Sequence, residues 1–404
     1  MHAEQLSRSL TRVAVILGFA LSLCGSVPAQ VTYKTLYKFK NTPDGNGPFS
    51  GLVADFSGNL YGTTLWGGAS GNGTVFELSP ASGGKWTESV LYSFTGGADG
   101  ANPQGGVTFD SSGNLYGTAQ GGGLYNEGVV FQLTPANGGW TQSVIYNFTG
   151  GADGATPNCA HLIFDNAGNL YGTAWSGGSA GYGVVYELSP GPNNTWTQAV
   201  LHTFQDPPDL ENSASTLIFD SAGNLYGTCF AGGKTGNGGV YELVHGSGGW
   251  TEKILYQFKG GTGGGNPAAG VIFDSAGNLY GITGDWMSST SVVYELMPKS
   301  GGGWTEHSLR RFPGCSGSIY ENSGLTLDEA GNLYGASLCG GPYGDGFIFK
   351  MTSNGSGGWS FQRLHAFDGK PGGGPSGNVM IDTAGNIYGP TLGNNSGTVF
   401  EISP

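Results

Sequence analysis

The residues best suited to chemistry in this sequence are carboxylates, and most of them recur at fixed intervals. Asp55, Asp110, Asp165, Asp220, Asp274, Asp328 and Asp382 each head the phrase Asp-x-x-Gly-Asn, 54 or 55 residues apart. A calcium loop needs oxygen ligands at alternating positions, and one Asp followed by Gly and Asn does not fill them. A turn asks only that the Asp accept from neighbouring N–H groups, so these seven read as turn caps. Asp44-Gly45, Asp99-Gly100 and Asp153-Gly154, followed by Pro48, Pro103 and Pro157, read as tight loops that degenerate in later copies. Asp209, Glu211, Glu321 and Asp345 fall outside the repeat and are the carboxylates with which an acid–base site would begin. The sequence carries no Ser-His-Asp or paired-carboxylate signature, because the Glu of the Val-aromatic-Glu-Leu phrase recurs with the repeat.

Cysteine and histidine chemistry is sparse. Beyond the N-terminal segment the cysteines are Cys159, Cys229, Cys315 and Cys339. In an exported chain an even count favours disulfides, and four cysteines allow three pairings. Cys315 precedes the first strand of the sixth repeat and Cys339 follows its second; Cys159 and Cys229 hold the same two loop positions in the adjacent third and fourth repeats. The expected pairs are Cys315 with Cys339 and Cys159 with Cys229. With no Cys-x-x-Cys and no His pair nearby, a thiol nucleophile or zinc site is not expected, nor any other metal or cofactor. His202 and His365 stand where other copies carry Tyr92, Tyr146 and Tyr256, and so read as packing substitutions. His161, His245 and His307 occupy three different repeat positions.

One set of residues departs from the repeat. The Gly-Gly loops carry large aromatics of varying identity: Trp66, Tyr125, Trp175, Tyr182, Phe230, Trp286 and Tyr343. Six tryptophans open a recurring strand and are structural, whereas Trp66, Trp175 and Trp286 are extra to the pattern. Gathered at the mouth of a ring they would form flat apolar platforms for sugars or peptides; turned inward they would plug the channel or pack between repeats.

The elements that must position these residues follow from the repeat. Each copy holds two short apolar runs around the Asp-x-x-Gly-Asn turn, as in Leu217 to Gly227. A Gly-x-Val-aromatic-Glu-Leu piece and a Trp-Thr-x-x-apolar-Leu-Tyr-x-Phe piece follow, both rich in strand-forming residues. Four strands per unit, seven times over, predict an all-β, seven-bladed β-propeller with four antiparallel strands per blade. The last copy stops after its third strand, and Tyr33 to Phe39 matches the missing fourth. The ring is therefore expected to close by pairing strand 33–39 with the C-terminal three strands, removing a free edge. With the Asp-bearing strand innermost, the loop entering each blade and the Gly-Gly loop share one face of the disc, and the Asp turns lie on the other.

Composition fits this architecture. The chain has 79 glycines among 404 residues, with 12% aromatic and 11% charged residues, which excludes collagen and flexible linkers. Arg8 and Arg12, the apolar run from Val13 to Cys24 and the small residues before Ala29 form a signal peptide expected to be cleaved between Ala29 and Gln30. Residues 30–404 are then a single propeller domain, exported or periplasmic, with no membrane span or C-terminal anchor. Removing residues 1–29 leaves 13 Lys and Arg against 27 Asp and Glu, a balance that disfavours nucleic acid and anionic membranes as partners.

The unit Phe-x-Gly-Gly-x-Asp-Gly-x-x-Pro, followed by apolar-Asp-x-x-Gly-Asn-Leu-Tyr-Gly-Thr and Gly-x-Val-Phe-Glu-Leu, resembles the GloVer (Gloeobacter-Verrucomicrobia) tandem repeat of exported bacterial proteins. The resemblance spans the chain after the signal segment and implies export, with no activity or catalytic residues to carry over. Members of that family carry C-terminal sorting anchors, and this sequence departs in having none. The Asp hairpin is also similar to NHL-type propeller blades, a likeness of fold alone. The expected function is a non-catalytic binding or scaffold propeller that recognises polysaccharide or cell-envelope glycan through one loop face. The alternatives are a polysaccharide-active or lyase-type enzyme on the same face, and a structural surface protein.

Overall fold

A computed structural model describes residues 31–158, 161–213, 215–284, 290–313, 323–370, 372–393 and 396–404. Seven four-stranded antiparallel sheets follow one another along the chain. Blade one is Val53–Ala54, Leu60–Thr64, Thr74–Ala81 and Lys85–Ser93, and the next five blades repeat it. Blade seven combines Met380–Ile381, Ile387–Thr391 and Thr398–Ser403 with the N-terminal strand Thr32–Lys38, which pairs with Thr398–Ser403. The seam expected from the displaced strand is thus the one that closes the propeller.

A five-residue stretch beginning Leu-Tyr-Gly, or Ile-Tyr-Gly in blade seven, makes the second strand of every blade, and all five residues are buried in all seven copies. Both faces of that strand are covered, and the aromatic ring from the same blade's third strand leaves no room at its glycine. A Cβ on Gly62 would come within 2.7 Å of Phe76 Cζ, and one on Gly172 within 2.5 Å of the Tyr186 hydroxyl. The core accordingly divides into seven clusters, each straddling two adjacent blades. The phenylalanine near the end of each fourth strand, such as Phe94, Phe148 and Phe204, is fully buried there. Each contributes roughly 2–3 kcal/mol of apolar burial.

One irregularity recurs in every blade. Every complete third–fourth strand pair carries a bulge at the same place, between Val75 and Phe76 in blade one and between Val185 and Tyr186 in blade three. Strict alternation would put Glu88 and Tyr92, four residues apart, on one face. The bulge absorbs Leu91, so Glu88 pairs with Leu78 while Tyr92 pairs with Val75 on the opposite face. Each fourth strand therefore serves two seams: its third position faces the preceding blade and its seventh faces the next.

The Asp turns are as expected. Asp55 Oδ1 accepts from the amides of Ser57 (2.8 Å) and Asn59 (2.9 Å), and Oδ2 accepts from Asn59 Nδ2 (2.8 Å) and the Tyr61 hydroxyl (3.1 Å). The same four bonds recur at the other six turns, as at Asp382. Burial alone would raise the Asp55 carboxyl, but the donors of Asn59, Ser57 and Tyr61 outweigh it and hold it below the usual range.

The cysteines require a correction. Cys229 is the last residue of strand Leu225–Cys229, buried in the seam core with Leu210 and Tyr241, and its thiol is free. The expected Cys159–Cys229 pair is not made, because the second strand extends one residue further than its motif and carries the thiol inward. Cys339 takes part in a disulfide. Cys159 and Cys315 lie outside the described residues.

Candidate functional site

The loop entering each blade and the loop after its second strand lie together on one face, here the upper face. Short antiparallel contacts join them: Asn46 with Trp66, Ala101 with Gly121, Ala155 with Ser176, and Leu210–Glu211 with Ala231–Gly232. Asparagines in the left-handed region lock these loops across the seams. Asn102, Asn212 and Asn266 (φ 55°, 58° and 52°) donate their side-chain amides to the carbonyls of Leu65, Trp175 and Phe230 in the preceding blade, at 2.9–3.0 Å. These bonds tie the loops of blades one to two and three to five to one another.

The aromatic residues of the upper face fall into two sets. Trp66, Tyr125 and Tyr343, on blades one, two and six, are 50%, 58% and 64% exposed, and Leu124 beside Tyr125 is 68% exposed. Trp175 and Phe230 instead close on each other across the seam between blades three and four, with ring centroids 5.6 Å apart, and Tyr182 packs against the same seam's core. Trp286 lies outside the described residues. The residues expected to form one ring are therefore divided between solvent-facing platforms and inter-blade packing.

A second constellation lies beneath the upper loops, on the seams, and arises from the bulge. Between blades one and two, Tyr92 donates to Asp99 (2.9 Å) and Gln142 donates to the Asp99 carbonyl (3.1 Å). Between blades two and three, Tyr146 donates to Asp153 (2.9 Å) and Gln198 to the Asp153 carbonyl (3.0 Å). At the next seam the same three positions are His202, Asp209 and Glu252. His202 Nε2 lies 4.0 Å from Asp209 Oδ2 and 3.8 Å from Glu252 Oε2, and one ligand-type atom from each residue lies within 4.8 Å of the others. His202 Nε2 and Glu252 Oε1 are buried without a hydrogen-bond partner.

The electrostatics follow from this crowding. Burial, together with the neighbouring Asp209, pushes the Glu252 carboxyl up to about 8, so it holds its proton at neutral pH. Burial lowers His202 despite the opposing pull of Asp209, leaving the imidazole neutral. One ring nitrogen and two carboxylates are a donor set that would hold a divalent transition-metal ion. Glu88, at the seam between blades seven and one, is raised to about 7 by burial and then by Asp44.

Of the carboxylates singled out from the sequence, only Asp209 belongs to this cluster. Glu211 sits in the short strand beside it, raised by burial and then by Asp206 and Asp209. The Asp345 carbonyl accepts from the amide of Gly374, in the loop entering blade seven, at 2.7 Å, and Glu321 lies outside the described residues. His161 is half-buried with Nδ1 3.2 Å from the Val107 carbonyl, and His365 stacks on Tyr33 at 4.0 Å; both are packing residues. The lower face holds a cleft of about 570 Å³ between the turns of blades three and four, walled by Tyr171, Phe219, His245 and Trp250. Its aspartates, Asp165 and Asp220, are committed to their turns.

Three comparisons place the chain among known proteins. A family model described as the Gloeobacter/Verrucomicrobia repeat matches residues 23–165 and 143–326. No curated protein matches the chain. Among solved structures, a protein described as a candidate 6-phosphogluconolactonase from Bacteroides uniformis is 15% identical, with 82% of this chain and 88% of that one covered and a TM-score of 0.51. One described as a candidate oxidoreductase (glucose dehydrogenase) from Thermus thermophilus is 14% identical, covering 92% and 99%, with a TM-score of 0.41. At such identities the likeness is one of fold alone.

Proposed function

The chain belongs to the Gloeobacter/Verrucomicrobia repeat family, and because that description names a repeat and no reaction, we propose its function from the loops that break the repeat. The protein is an exported propeller that binds a polysaccharide on its upper face. One observation carries this reading. Of the seven large apolar side chains exposed among the described residues, Trp66, Leu124, Tyr125 and Tyr343 stand on upper-face loops. Flat rings suit the apolar faces of sugars, and with two side-chain torsions each they lose little conformational entropy on binding. The test is a glycan array probed with the wild type and with a Trp66→Ala, Tyr125→Ala, Tyr343→Ala variant. Binding by the wild type and at least tenfold weaker binding by the variant is expected; equal binding, or none by either, rejects the reading.

A second reading, a lyase-type or hydrolytic enzyme acting on such a polymer, is favoured by the convergence of His202, Asp209 and Glu252. A carboxylic acid protonated at neutral pH beside a neutral imidazole is an acid–base pair. The burial of His202 Nε2 and Glu252 Oε1 keeps a polymer from touching them, which ranks this reading second. Release of reducing ends or unsaturated products by the wild type, abolished by Glu252→Gln, would reverse that order.

A further inference from the structure

All the arginines beyond residue 12 surround one cavity. The sequence has five, at positions 8, 12, 310, 311 and 363, and the last three line a cavity of about 390 Å³ between blades five and six. This chain carries a formal charge of −13, so three guanidinium groups around one opening are a local reversal of its field. Among the described residues no carboxylate comes within ion-pair distance of them; the five ion pairs there all involve Lys or His.

The fold does not require them. Arg310 occupies the seventh fourth-strand position, where the other seams use Tyr37, Tyr92, Tyr146, His202, Tyr256 and His365, and Phe361 occupies the third, where Tyr33 stands in blade seven and the other five blades use Glu or Gln. Tyrosine and glutamine close this kind of seam elsewhere in the same molecule. Here Arg310 lies over the Phe361 ring at 4.5 Å and Arg363 over the Phe347 ring at 5.3 Å. A guanidinium stacked on a ring keeps its N–H donors in its own plane, so stacking fixes the group without using the donors. Among the described residues Arg311 lies over no ring and makes a 3.5 Å contact to Ser308. Ring contact thus accounts for two of the guanidinium groups but not for the third, and three cations around one opening raise the local positive potential that an anion would meet.

We propose that this pocket binds the oxyanion, carboxylate or sulfate, of an acidic saccharide. The guanidinium edges offer the planar, two-pronged donors that such groups accept, and the pocket's rim includes Pro342, next to the exposed Tyr343. That adjacency puts an apolar platform beside the cationic site, as a sugar ring bearing an acidic group would need. The saccharide part rests on the upper-face reading given above; the anion site itself does not.

The experiment is calorimetric titration of the full protein with trigalacturonate, xylotriose and inorganic sulfate, at 20 mM and 300 mM NaCl. The variants are Arg310→Gln/Arg363→Gln and Arg310→Lys/Arg363→Lys, whose arginines are exposed, with thermal unfolding as the control for folding. The wild type should bind trigalacturonate at least tenfold more tightly than xylotriose and weaken at least tenfold at the higher salt. The Gln variant should lose that preference and the Lys variant recover part of it. Binding of sulfate without trigalacturonate supports the site and assigns the anion to a sulfate ester. Equal binding of charged and neutral trimers, unchanged affinity in the Gln variant, or no binding of either anion overturns the proposal. Loss in the arginine variants with none in the Trp66, Tyr125, Tyr343 variant would retain the anion site and reject the aromatic platform, and the converse result would do the reverse.

Discussion

The seam between blades two and three and the seam between blades three and four use the same three backbone positions to opposite effect. In the first, Tyr146, Asp153 and Gln198 supply matched donors and acceptors, and Asp153 also accepts from the amide and hydroxyl of Thr149. In the second, His202 and Glu252 replace the tyrosine and glutamine. Asp209 accepts from the amides of Gln205 (2.8 Å) and Leu210 (2.9 Å), and two buried polar atoms go without partners. A repeat shows what a position needs for stability by how it is filled elsewhere. Where a copy abandons that solution at a cost, the position is free to serve something else.

The comparison can be broken most directly at its centre. Asp153→Ala removes the acceptor of Tyr146 and Thr149 and should cost about 2–4 kcal/mol, since hydrogen bonds to a charged group are each worth more than neutral ones. Asp209→Ala loses two amide contacts but relieves Glu252 of a neighbouring negative charge, and should cost about 1 kcal/mol or less at pH 8. Denaturant midpoints of the two variants measure the difference; equal losses would mean that the two seams are equivalent.

A pH series sharpens the contrast. Folded Glu252 keeps its proton to about pH 8, whereas an unperturbed glutamate releases it near 4.5. The unfolded chain binds fewer protons across that window, so this residue's contribution to stability falls as pH rises from 4.5 to 8. Glu252→Gln copies Gln198 and removes that loss. It should exceed the wild type by on the order of 2 kcal/mol at pH 8 and match it within about 0.5 kcal/mol at pH 4. Glu88→Gln, whose parent is raised only to about 7, should gain less. Chemical denaturation at the two pH values reads both.

The propeller was legible because its evidence is redundant: seven turns, seven buried strands built on Tyr-Gly and one displaced strand all state the same architecture. The seam sites were not legible, for a physical reason. Period-two reasoning puts the third and seventh fourth-strand positions on one face, and only the bulge at Leu91 and its equivalents separates them. His202 and Asp209 then meet Glu252 from the next blade, which in sequence looks like any other repeat glutamate. Reading down the columns of the repeat would have marked His202, Arg310 and Phe361 as departures, and the confinement of the later arginines to 310, 311 and 363 was visible in composition. Cys229 was misplaced because the motif ends at Thr228 while the strand continues one residue into the core.

Restoring the repeat should also repair the deviant seam from its other side. His202→Tyr would place a hydroxyl where Tyr146 donates to Asp153, and would replace a buried nitrogen that has no partner. A gain of about 0.5–1.5 kcal/mol is expected, the worth of one net hydrogen bond. Because residues 202 and 252 meet at Asp209, the His202→Tyr, Glu252→Gln double variant should depart from additivity. A strictly additive result would show that the three groups do not act as a unit.

The smallest effect is expected where function is proposed rather than stability. Tyr343 is 64% exposed and takes no part in the ring contacts that hold the seams, so Tyr343→Ala should shift the unfolding midpoint by less than about 0.5 kcal/mol equivalent. A side chain whose removal leaves the fold intact, one residue from Pro342 of the arginine-lined cavity, has no structural reason to be a tyrosine. If the same variant also leaves saccharide binding intact, the exposed aromatics are incidental and the cationic seam alone must carry recognition. If binding falls while stability holds, the upper face works as a platform whose energetics are independent of the blades beneath it.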